Sequence, residues 1–155
     1  MSVVPAAPPV APAGRIEGGA YVDAGVPLRV AIPPGWTAHP GRSDEPVRVT
    51  FREPRSPGLL VSVSAVAGGD LTPLPHPACE WTFRDVGRFP LQGRDGPVGI
   101  ATCTPTDAST ARVLDWAFVE AGYAWHVEVH SPVGRLGDAP AAADLVMAGT
   151  SVGGP

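Results

Sequence analysis

Lysine and asparagine are missing from this 155-residue chain, so all eleven of its basic residues are arginine. With abundant Ala, Gly, Pro and Val, that bias is what a GC-rich coding sequence of the actinobacterial kind produces, and it points to source rather than function. Charge is also scarce, at 17% of residues, and the balance is acidic, with a net charge of −4. Affinity for nucleic acid rests largely on basic neutralisation of phosphates, and singly scattered arginines argue against such a partner. No run reaches the roughly 18 apolar residues of a membrane span. Residues 1–14 lack a positive n-region and are broken by prolines, unlike a signal peptide. The expected location is therefore cytoplasmic, with the cell envelope or secretion by a non-classical route as the alternative. Only two cysteines are present, Cys79 and Cys103. They allow one disulfide in an oxidising compartment or two small buried thiols in a reducing one. Without a CxxC they form no metal motif.

Catalytic signatures are missing too. There is no Gly-x-Ser-x-Gly nucleophile elbow and no GxxxxGK[ST] phosphate loop, and Gly93-Arg-Asp-Gly96 reads as a turn. The carboxylates Asp44 with Glu45, and Asp115 with Glu120, read as solvated charges. The expectation is a protein that is not an enzyme and carries no cofactor.

What the chain does have is turn chemistry: 19 glycines and 20 prolines. So much of both favours a loop-rich β or α+β domain. Residues 1–14, rich in Pro and Ala, read as a flexible extended arm or linker. Residues 15–152 have room for a single domain. Leu28, Val30 and Ile32 alternate with Arg29 and Ala31, the period of a half-buried strand. Pro33-Pro34-Gly35 ends it, because proline cannot donate to a ladder and glycine accepts turn dihedrals. Residues 20–23 read as a short edge strand, and residues 47–52 and 59–67 as a hairpin. Residues 98–104 form another strand, and residues 112–120 and 123–131 the strongest hairpin, turning at Ala121-Gly122. Residues 78–87 are ambiguous, because Cys79, Trp81 and Phe83 alternate while Cys79, Phe83 and Val86 share a helical face. Pro77 before and Gly87 after favour a short middle helix. A terminal helix is expected over 139–150, capped by Asp138 and packed through Leu145, Val146 and Ala148. The fold class is α+β: an antiparallel β-sheet flanked by a short middle helix and a C-terminal helix.

The run Val30-Ala-Ile-Pro-Pro-Gly-Trp36 resembles the strand-Pro-x-Gly-Trp opening of PsbP-like domains. The Phe51 strand, the 59–67 strand, the Trp81 segment and the hairpin carrying Trp116 and Trp125 follow in the order such domains show. The photosystem PsbP subunit and the Mog-type Ran-binding proteins share that fold. So do actinobacterial LpqN-type lipoproteins, type VII secretion-associated proteins, and small chaperones of Rhs effectors, though no lipobox cysteine lies near the start of this chain. The resemblance implies binding or assembly rather than turnover: an adaptor, chaperone or structural subunit, such as one linked to a secretion system, whose partner is another protein or a larger protein assembly.

Two sets of residues are candidates for that role. Trp36, Trp81, Trp116 and Trp125 all read first as core anchors, and Trp36, at a strand-end turn, and Trp81 are the two that could instead face outward as partner-binding anchors. His126, Glu128 and His130 occupy one face of a strand at i, i+2 and i+4, opposite Trp125, Val127 and Val129. Two imidazoles and a carboxylate suit zinc, but three in-line side chains span too far for one ion. A metal site would need two of them plus His39, His76 or Asp115. The plainer reading is a polar face turned to solvent.

Overall fold

The computed structural model describes residues 9–56, 58–72, 74, 79–83, 91–94, 96–103 and 112–153. Two antiparallel sheets and one helix make the body. The short strands β1 (Gly14–Glu17), β2 (Ala20–Asp23) and β3 (Leu28–Ala31) form a meander. In β3, Leu28 and Val30 are buried while Arg29 and Ala31 are exposed, as the alternation requires. Gly35 has φ +83°, which suits a tight turn closed by the Trp36 amide on the Pro33 carbonyl at 3.0 Å.

The chain then enters a larger sheet through β4 (Thr37–Pro40), β5 (Val47–Arg52) and β6 (Leu60–Ala67). It continues with β7 (Cys79–Phe83), β8 (Val98–Cys103), β9 (Arg112–Glu120) and β10 (Tyr123–Ser131). The spatial order is β4-β5-β6-β10-β9-β8-β7, so the long β9–β10 hairpin sits in the middle. Its Ala121-Gly122 turn has φ +54° and +82°. Two left-handed residues are what a type I′ hairpin loop, one of the two kinds that match strand twist, requires.

After a 3-10 turn at Val133–Asp138 comes helix α1 (Ala139–Ala148), and strand β11 (Thr150–Val152) returns to pair with β3. The smaller sheet thus runs β1-β2-β3-β11. The helix buries Ala139, Ala142, Ala143, Val146 and Met147 and packs on β10, β3 and β6. The core lies between the two sheets and the helix. Tyr21 and Val30 of the small sheet meet Phe51, Val61, Trp125, Val127 and Val129 of the large one there.

Several expectations change. Residues 79–83 are an edge strand rather than the start of a middle helix, because β8 offers them a free ladder and the Cys79, Trp81, Phe83 alternation fits it; residues 84–87 lie outside the described residues. The strand at residues 20–23 is internal, with β1 outside it. The terminal helix stops at Ala148, since Gly149 packs so closely that a Cβ there would meet the Ala31 Cβ and carbonyl oxygen at 3.0 Å. Leu145, expected inside, is 46% exposed. The folded body also takes in part of the proline-rich arm: Ala13 is fully buried and its amide donates to the Gly41 carbonyl at 2.8 Å. Residues 1–8 lie outside the described residues.

Candidate functional site

Trp36 follows the Pro-Pro-Gly turn and lies half-buried against the core, its turn held by the proline-fixed backbone. It lines a groove of about 340 Å³ with Leu59, Ala142 and Leu145 as apolar walls and Glu53, Arg135 and Asp138 as rim. A second hollow of about 330 Å³ shares Glu53 and Leu59 and extends the groove past Thr37, Arg52 and Pro54. One hydrogen-bonded chain fixes the rim. The Ser56 hydroxyl donates to Glu53 at 3.2 Å, Arg135 Nη1 donates to Ser56 at 2.7 Å, and Arg135 Nε bonds Asp138. Asp138 therefore serves Arg135 and makes no side-chain cap on α1. The result is a half-buried aromatic anchor beside the exposed Leu145, with charges held in place, the pattern of an interaction hot spot.

Trp81 lies on β7 opposite Ala101, and its side chain is outside the described residues. Trp125 and Trp116 are buried, and the Trp125 indole donates to the Glu120 carbonyl at 2.8 Å. Cys79 and Cys103 are register partners on β7 and β8, and Cys79 is disulfide-bonded.

The histidine face is not turned to solvent. His126 is 0% exposed and Glu128 and Asp115 are each 1% exposed, which corrects the solvated reading of that face and of Asp115. Register accounts for the grouping: Glu128 lies opposite Asp115 on β9 and Ser62 on β6, and His126 lies opposite Ser64. His126 Nδ1 approaches both Asp115 oxygens, at 3.1 and 2.9 Å. Burial opposes an imidazolium there, but the Asp115 hydrogen bond and the charges of Asp115, Glu128 and Asp70 outweigh it and raise the His126 pKa. Among the described residues, His126 Nε2 and Ser64 Oγ are buried without a hydrogen-bond partner. Among the described residues no three His, Cys, Asp or Glu side chains are grouped to hold a metal ion, so His126, Glu128 and His130 do not form a ready ligand set.

A second buried cluster escaped the sequence reading because its members are far apart in the chain. Asp23 receives two bonds from Arg48, at 2.9 and 3.0 Å, one from Tyr21 at 2.6 Å, and the Gly25 and Val26 amides at 2.8 Å each. Burial alone would raise the Asp23 pKa, but these donors bring it below the usual carboxylate value. Burial and the Asp23 carboxylate push the Tyr21 phenol upward.

No protein family and no curated protein matches the sequence. The architecture does have a counterpart among solved structures. The solution structure of cyanobacterial PsbP (CyanoP) from Synechocystis sp. PCC 6803 superposes with a TM-score of 0.58 at 13% identity, over 90% of this chain and 98% of that one. The fold is PsbP-like. Among the described residues no helix is long and apolar enough to cross a membrane.

Proposed function

We propose that this PsbP-like domain binds another protein and catalyses no reaction, acting as an adaptor, chaperone or assembly subunit. The observation that carries the reading is the Trp36 groove, with half-exposed Leu145 on one wall. An aromatic side chain anchored at its base and open at its face supplies contact area at little entropic cost on binding. A place in a secretion system is the specific form that the family resemblance favours. The proline-rich residues 1–8 would add a second contact. A disulfide-bonded Cys79 favours an oxidising compartment, such as the cell envelope or the exterior, over the cytoplasm first expected.

The test is affinity capture of the tagged chain from its native lysate, beside the Trp36→Ala and Leu145→Glu variants. A stoichiometric partner held by the parent and lost from both variants is expected. A parent that stays a lone monomer and retains nothing would sink the reading. The alternative, a small-molecule or metal site using His126, Glu128 and His130, has the unpartnered His126 Nε2 in its favour. A His126→Ala, His130→Ala double variant that keeps every ligand response of the parent would dispose of it.

A further inference from the structure

The outer face of the small sheet carries a row of side chains that the core does not use. Arg15 on β1 lies opposite Val22 on β2, Val22 opposite Arg29 on β3, and Arg29 opposite Ser151 on β11. Over the β11 end of this row lies a groove of about 630 Å³ lined by Val22, Asp23, Val26, Pro27, Arg29 and Ser151. That volume falls within the few hundred to ~1,000 Å³ of ordinary ligand sites.

Two charged residues line the groove, and only one of them is available. The Asp23 carboxylate is saturated by Arg48, Tyr21 and two backbone amides. Arg29 is exposed and has no hydrogen-bond or ion-pair partner among the described residues; Ser151 beside it is exposed as well. Arg15, further along the row, is occupied by Glu17 at 2.7 Å. The groove therefore presents one free guanidinium fork, an adjacent hydroxyl, and aliphatic walls from Val22, Val26 and Pro27. A guanidinium fork fits a carboxylate bidentately.

We propose that this groove docks an acidic segment of the partner protein, one carboxylate on Arg29 and Ser151 and a neighbouring aliphatic side chain on Val22, Val26 and Pro27. A nucleotide fits less well, because one cation does not neutralise a polyphosphate and no lining residue offers an aromatic ring for a base. An anionic membrane surface fits less well too, because such surfaces are held by clusters of basic residues and the groove lining offers Arg29 alone. The inference rests on the protein-binding reading and places a contact of known chemistry within it.

The direct test is amide and arginine Nε–Hε NMR of the full chain, titrated with a pool of acetylated hexapeptides. Each peptide carries one Glu or Asp flanked by valine and threonine, and a matched pool carries Gln or Asn instead. The acidic pool is expected to shift Arg29 Nε–Hε and the Val22, Arg29 and Ser151 amides, and the amide pool and sodium acetate to do so at least tenfold more weakly. Arg29→Glu should abolish the shifts and Arg29→Lys weaken them, while Arg55→Glu, outside the groove, leaves them intact. Unchanged melting temperatures of the Arg29 variants would confirm that they fold. No shift at these positions, equal shifts from the amide pool, or binding that survives Arg29→Glu each overturns the proposal, and acetate acting as well as peptide reduces the groove to a simple anion site. Full capture of a native partner by Arg29→Glu removes this contact and leaves the protein-binding reading standing. A parent that captures nothing removes that reading, while the peptide titration still decides this one.

Discussion

Among the described residues two buried charge clusters stand out, and they are built on opposite terms. In the first, Arg48 uses all of its donor capacity: two bonds to Asp23 and one each to the Ala13, Ser43 and Glu45 carbonyls, at 3.4, 3.3 and 3.2 Å. It ties β2, β5 and the start of β1 together, and leaves no charge unsatisfied. In the second, His126 meets Asp115 through one nitrogen, and the other has no hydrogen-bond partner among the described residues. A closed cluster is a clamp, whose worth shows when a member is removed. An open one is a titrating device, whose worth depends on proton concentration.

The largest effect should follow from opening the clamp. Arg48→Met leaves the Asp23 carboxylate buried without its cation and should destabilise by about 3–5 kcal/mol, read by urea unfolding. A loss below 1 kcal/mol would show that the cluster is not a clamp. Next comes Tyr21→Phe, which removes one donor to a charged acceptor and should cost about 1.5–3 kcal/mol.

pH separates the clusters by sign. His126 has a folded pKa above its ordinary 6.5, so its contribution is complete below that value and fades as pH rises through the folded one. Asp23 is held below 3.8, so its contribution is present above that value and fades only as pH falls beneath it. Melting temperatures from pH 5 to 9 should therefore decline for the parent across the upper part of the range and flatten in His126→Gln. A parent that gains stability with rising pH there would reverse the assignment. The smallest effect belongs to Ser64→Ala. Removing a buried hydroxyl that lacks a partner should change stability by less than about 0.5 kcal/mol, or raise it.

Much of this arrangement can be read in the chain, because the alternation of β3, β5, β6, β9 and β10 is regular and the Ala121-Gly122 turn is short. Trp36 was legible for the same reason: its turn is local. The clusters were not, since Asp23 and Arg48, or Asp115 and His126, meet only once strand order and register are known. The histidine face misled because period two says which residues share a face, and not what covers that face. Residues 79–83 misled because a short apolar run serves either period, and a neighbouring strand decides between them. Arg29 looked like any outward residue of an alternating strand; only the register that sets it beside Ser151 gives it a role.

The pairing of β11 with β3 has a consequence for how the molecule is made. Val30 meets Thr150, so the small sheet closes across nearly the whole sequence. During synthesis from the N-terminus, β3 emerges early and keeps an open edge until the last strand arrives. Contacts of such separation form slowly. Among the described strands β3 waits longest for a partner, and the step that ends this vulnerability is the docking of three residues, Thr150–Val152.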